Sequence, residues 1–219
     1  GPPERLGDPL SLTVHYAAPI TDGAFEVHAR PMRTNRSTQH WLVELRQGDA
    51  VAAFATVLTA VRRDTWSATD AVFPSVPSAE SLPRHPGVFR TEWPKAYDMR
   101  FTDGEQVLDN VVRDDAVTRV WLRDEPPRPL DFLALSAICD AFIPRVFVRR
   151  SRAVPAGTVT LTVYFHADAA LLAAQGTAHV LGCAKGLRYS QGFHDQTAEI
   201  WSAQGDLLAV GHQVVYFKE

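Results

Sequence analysis

Leu130-Asp-Phe-Leu-Ala-Leu-Ser-Ala-Ile-Cys-Asp-Ala-Phe-Ile-Pro144 decides the reading of this chain. The stretch is an apolar helix, expected over Leu130–Ile143, bounded by prolines and carrying one carboxylate, Asp140, well inside it. Leu133, Ser136, Ala137 and Asp140 fall at helical spacing, so the carboxylate is expected to continue a sheltered face. An ionised group on such a face costs several kcal/mol, in the range of about 3–5 for an unpaired buried charge, unless hydrogen bonds satisfy it. A helix apolar almost all round must be covered by sheet.

The flanks supply that sheet. Upstream, Leu10, Leu12, Val14 and Tyr16 alternate with Ser11, Thr13 and His15, the period-two signature of a strand over Pro9–Tyr16. Ala24–Met32, Ser37–Arg46 and Ala50–Val61 read as three more strands, the last two joined by turn residues at Gln47-Gly48-Asp49. Residues 62–94 are rich in proline and too long for an ordinary loop, which predicts an interdomain linker. Ala96–Phe101 and Val117–Arg123 read as strands leading into the helix. Thr158–Phe165, Ala170–Gly182, Asp195–Ser202 and Leu207–Lys218 read as four strands after it, with a basic loop holding Arg149, Arg150 and Arg152 between.

Two matches suggest duplicated four-strand units. Leu12-Thr-Val-His-Tyr16 resembles Leu161-Thr-Val-Tyr-Phe165, an offset of 161 − 12 = 149. Gln47-Gly48-Asp49 resembles Gln204-Gly205-Asp206, an offset of 204 − 47 = 157. The first unit has no helix ahead of its strands. The expected division is 1–61, a partial N-terminal unit; 62–94, the linker; and 95–219, a unit with its helix.

Composition excludes several classes. A net charge of −3 and a pI near 6.3 speak against nucleic-acid binding. No apolar run reaches the ~20 residues of a membrane span, and no secretion signal opens the sequence. Cys139 and Cys183 stand alone without metal-like spacing, which suits free thiols in a reducing, cytoplasmic setting. The eight histidines show no triad or ligand spacing, and no Gly-rich phosphate loop is present.

Three polar residues of the second half break an apolar rule. Besides Asp140, Thr158 opens the strand after the helix, and Gln213 shares the parity of Leu207, Ala209, Val215 and Phe217. All three are expected to converge near one end of the helix. A carboxylate, a hydroxyl and a carboxamide suit a water better than a metal: Asp140 as general base, Thr158 and Gln213 orienting the water. At the repeat offsets the first unit has Pro9 (158 − 149) and Thr56 (213 − 157) in their places, so one site per chain is expected. A structural role for each, as a cap, a strand former or a core hydrogen-bonding group, is the competing explanation.

Taken together, Ala137-Ile-Cys-Asp-Ala-Phe-Ile-Pro144, Gly157-Thr158, Leu161-Thr-Val-Tyr-Phe-His166, Gly192-Phe193, Glu199-Ile-Trp201, Gly205-Asp-Leu-Leu-Ala209 and His212-Gln213 resemble the acyl-CoA thioesterases of the bacterial thioesterase II type. The resemblance implies an α+β double hotdog, antiparallel sheets each wrapping a central helix, the first lacking its helix here. It places the family's water-activating Asp, Thr and Gln on Asp140, Thr158 and Gln213. It implies hydrolysis of acyl-CoA to free acid and coenzyme A, with no metal or cofactor needed. Arg149, Arg150 and Arg152 are candidates for coenzyme A phosphates. Edge strands make a homodimer or higher oligomer the expectation. A non-hydrolytic acyl-CoA-binding or accessory protein and an enoyl-thioester hydratase are the alternatives.

Overall fold

The computed structural model describes residues 4–86, 92–105 and 108–219. The strands are β1 (Asp8–Tyr16), β2 (Glu26–Thr34), β3 (Thr38–Gln47), β4 (Ala50–Ala60), β5 (Tyr97–Asp103), β6 (Thr118–Asp124), β7 (Ala156–Phe165), β8 (Val180–Lys185), β9 (Tyr189–Ser190), β10 (Phe193–Trp201) and β11 (Leu207–Phe217). They form one continuous sheet in the order β2-β3-β4-β1-β7-β11-β10-β8-β6-β5, with β9 added on β10. Every pairing is antiparallel. Antiparallel sheets each wrapping a helix were expected; here β1 pairs with β7 and the strands form one sheet.

The central helix α1 spans Phe132–Asp140. Asp131 caps it, its carboxylate accepting the Ala134 N–H at 2.7 Å, which satisfies one of the free first-turn donors. It ends at Asp140, three residues short of the expected Ile143: the Ala141 N–H tightens back to Ile138 O, and Pro144 forbids continuation. Ala134, Leu135, Ile138 and Cys139 form its buried face. They pack with Val120, Leu122, Leu161, Val163, Ala198, Ile200 and Leu208 from the sheet, each larger side chain contributing roughly 1.5–3 kcal/mol on burial. This corrects the expected face: Leu133 is 77% exposed and Ala137 is exposed, while Asp140 is half-buried at the border between the faces.

Two more helices stand where the sequence suggested otherwise. The expected strand Ala170–Gly182 is helix α3 (Ala169–Gln175) followed by β8. Asp168 caps α3 by accepting the Leu171 N–H at 2.8 Å, and Gly176, with φ +59°, closes it. The expected basic loop begins as helix α2 (Arg145–Arg150), which holds Arg149 and Arg150 in its last turn. Its first residue, Arg145, is fully buried. That guanidinium donates to Ile143 O, Ala116 O, Thr118 Oγ1 and Gln196 Oε1, all neutral acceptors, and so fastens α2 to β6 and β10.

Part of the 62–94 segment is packed down: residues 87–91 lie outside the described residues, but Phe73, Val76, Ala79 and Leu82 cover Trp121, Leu181 and Trp201 on the outer sheet face. The Trp121 indole N–H donates to Pro77 O at 2.9 Å.

The register bears on the repeat. Leu12 pairs with Val163, Thr13 with Thr162 and Val14 with Leu161. Thr13 and Thr162 are counterparts at the 149 offset, and their hydroxyls meet at 3.1 Å. A strand paired with its own counterpart places an approximate two-fold axis between those threonines. Leu161 pairs with Gln213 and Leu12 with Val57, so the counterpart of Gln213 is Val57, an offset of 156, and not Thr56. The paired strands on either side of the turn sit at offsets of 201 − 46 = 155 and 207 − 51 = 156, so the Gln-Gly-Asp match at 157 is out of step with both. Among the described residues the first unit carries no helix, and every residue of its edge strand β2 is exposed.

Candidate functional site

The C-terminal end of α1 lands on β11, where Gly211 leaves ordinary van der Waals room for Cys139. Gln213, two residues on and on the same buried face, therefore meets the last helical residue. Its Nε2 donates to Asp140 Oδ1 at 2.8 Å, and the Thr158 hydroxyl donates to Gln213 Oε1 at 3.2 Å. The three side chains singled out in the sequence thus form one hydrogen-bonded chain. Asp140 Oδ2 has no hydrogen-bond partner among the described residues.

Asp140 opens on a cleft of about 380 Å³ lined by Trp93, Tyr97, Ala137, Phe142, Pro144 and Thr158, among others. Burial pushes its carboxyl from the ordinary 3.8 up to about 6, against the opposing pull of the Gln213 hydrogen bond. A carboxylate with that affinity is ionised near neutral pH yet basic enough to accept a proton. Two phenols lie close enough to feel its charge: Tyr16, on β1 of the first unit, and Tyr97, on β5. Burial first, and Asp140 among the neighbouring charges, pushes both to about 12. Gly157, beside Thr158, lies close against the Tyr216 ring: a Cβ there would stand 2.9 Å from it, so a larger residue would push the tyrosine aside.

Trp93, Tyr97 and Phe142 escaped the sequence reading. They are apolar or aromatic residues among many, and only the fold brings the segments before β5 and after α1 together. Among the described residues, no group of three or more His, Cys, Asp and Glu could hold a metal ion. No helix among them is long and apolar enough to cross a membrane.

The arginine triplet lies apart from Asp140. Arg149 and Arg150 line a separate cleft of about 590 Å³ with Val146, Tyr189, Phe217 and Glu219. Arg150 pairs with Glu219, and Arg152 reaches the same carboxylate at 3.2 Å. The Arg149 side chain has no ion pair or hydrogen bond among the described residues, and its Nη1 is buried without a partner.

The sequence model of the acyl-CoA thioesterase C-terminal domain matches residues 72–217, and that of the N-terminal domain matches residues 2–61. No functionally curated protein matches. A conserved protein of unknown function with the hot dog fold from Alicyclobacillus acidocaldarius is 47% identical, with a TM-score of 0.94 over 99% of this chain and 81% of that one. The tesB protein of Mycobacterium avium subs paratuberculosis shares the fold at 18% identity and a TM-score of 0.74, over 97% of this chain and 79% of its own. Acyl-CoA thioesterase II TesB2 of Mycobacterium marinum does so at 14% identity and 0.71, over 96% and 80%. With both family domains matched in order along a hot dog fold, the chain belongs to the acyl-CoA thioesterase family.

Proposed function

We propose that the protein hydrolyses acyl-CoA thioesters to a free acid and coenzyme A at Asp140, Thr158 and Gln213. The observation that carries the reading is a desolvated carboxylate with one free oxygen at the wall of a cleft, its other oxygen held by Gln213. A water beside Oδ2 gives up a proton to Asp140 as its oxygen attacks the thioester carbonyl carbon. The C–S bond then breaks, and the proton leaves Asp140 for the thiolate. Gln213 fixes the carboxylate, and Thr158, which lines the cleft, fixes Gln213 and helps place the water. No step calls for a metal or cofactor.

The acyl carrier's phosphates are assigned to the neighbouring cleft. The unpaired Arg149 offers them a guanidinium, with Arg150 and Arg152 available on displacement of Glu219. The two clefts flank α2: Pro144 lines one, Arg149 and Arg150 the other. Six helical residues span only about 9 Å. The chain is read as a double hotdog, its first unit in 1–61 and its second in 95–219, acting in the cytoplasm as a homodimer or higher oligomer. The near-two-fold seam at Thr13 and Thr162 supports the duplication.

Thiol release from a panel of acyl-CoAs tests the activity, with Asp140→Ala beside the wild type. The expected outcome is release that falls about 10²–10⁴-fold in the variant. Water addition to an enoyl thioester without thiol release would identify a hydratase instead, and binding without either reaction an accessory protein.

A further inference from the structure

The Asp140 cleft continues inward, and its continuation is nearly shut. Trp93, Ala141 and Phe142 line both the cleft and a narrow apolar extension whose other walls include Met99, Phe101, Val120 and Ile143. The extension has room of about 10 Å³, which admits roughly one water-sized group. Phe142 is what closes it. Its ring is pressed against Gly182: a Cβ on that residue would stand 2.6 Å from Cζ and 3.0 Å from Cε1. The ring thus occupies the place of a missing side chain on β8 and has no free volume behind it. Arg145, fully buried and without a carboxylate partner, lines the same extension. A long alkyl chain driven inward would have to displace an aromatic ring and then lie beside a desolvated guanidinium.

From this we infer that the site takes short-chain acyl thioesters, with Phe142 and Trp93 setting the limit. The inference rests on the acyl-CoA reading above and names its substrate class. The acyl group enters from the cleft with its carbonyl at Asp140, and its methyl end meets the face of Phe142. Chains of about two to four carbons are the expected substrates; each further pair of methylenes must push on the ring, at a cost in kcat/KM of about tenfold or more.

The experiment measures kcat/KM for acetyl- to hexadecanoyl-CoA on the wild type, Phe142→Leu and Trp93→Ala. The leucine variant keeps an apolar filler in the core, and Trp93 is 38% exposed, so its truncation empties little of the interior. The wild type should peak at short chains and fall at least about tenfold by octanoyl-CoA, with the optimum moving to longer chains in a variant. A wild-type rate that climbs toward dodecanoyl- or hexadecanoyl-CoA overturns the inference and leaves the hydrolase reading standing. So does a chain-length profile that neither variant alters. Absence of thiol release at every length refutes the hydrolase reading instead. Titration with the non-hydrolysable butanoyl and dodecanoyl thioethers of coenzyme A then still decides the pocket: tighter binding of the short one supports the closed extension, and tighter binding of the long one refutes it.

Discussion

Replacing Asp140 by asparagine removes a charge from a place where the fold resists it. Moving a carboxyl from 3.8 to about 6 makes its ionised form about 3 kcal/mol costlier in the folded than in the unfolded chain. Between those values the folded protein keeps a proton that the unfolded chain has released. The Asp140 contribution to stability therefore falls as pH rises from about 4 to about 6, and is level above. Asparagine keeps an oxygen for the Gln213 amide, and the pull of that hydrogen bond on the carboxylate is already contained in the value of about 6. The expected gain is therefore about 3 kcal/mol near neutral pH and above, disappearing below about pH 4. For a chain of this size that is a rise in Tm of roughly 6–12 °C at about pH 8. Thermal denaturation of both proteins at the two pH values measures it, and thiol release on the same samples should fall about 10²–10⁴-fold. An asparagine variant no more stable at about pH 8 than at about pH 4, each relative to wild type, would show that Asp140 is not strained by burial. The case for a poised base would go with it.

The wild-type kcat/KM should rise with pH as one group loses a proton, with a midpoint of about 6, read from a pH–rate profile; a profile flat across that region excludes Asp140 as the base. Gln213→Leu removes the hydrogen bond that holds the Asp140 carboxyl down, so its midpoint should move to higher pH while the rate falls. Arg149→Gln should raise KM for coenzyme A thioesters about five- to tenfold with little change in kcat, and an unchanged KM would remove the phosphate assignment. Arg145→Met strands two backbone carbonyls and an amide oxygen inside the protein, while the Thr118 hydroxyl keeps its bond to Gly104 O; a loss of at least about 3 kcal/mol in denaturant unfolding is expected.

The strands were legible because alternation is a local property: β1, β3, β4, β6 and β11 begin and end within a residue or two of where period two places them. Asp140, Thr158 and Gln213 were legible for the opposite reason, as polar residues that local patterning could not explain. Helix α3 was lost because alanine and leucine in Ala169–Gln175 fit a buried strand as readily as a helix, and the Asp168 cap and Gly176 stop were the signals to weigh. The orientation of α1 could not be read at all. Its residues are apolar on every side, so which stripe meets the sheet depends on what the sheet offers, and Leu133 turned outward. Trp93 and Phe142 owe their place at the cleft to contacts between distant segments, which no spacing in the sequence encodes.

The seam between β1 and β7 has a consequence for how the molecule assembles in the test tube. The partner of β1 is a near-copy of β1, so a β1 from another molecule offers almost the same ladder of amides and the same threonine at its centre. Refolding at high protein concentration should therefore produce strand-exchanged dimers that dilution converts only slowly, visible as a second peak in size-exclusion chromatography. Replacing Thr13 by arginine handicaps exchange more than native folding, since two guanidiniums would then face each other across the borrowed seam while only one meets Thr162 in the monomer. A chain whose two seam strands nearly match carries a ready pairing surface inside itself, and must keep those strands distinct enough to prefer each other.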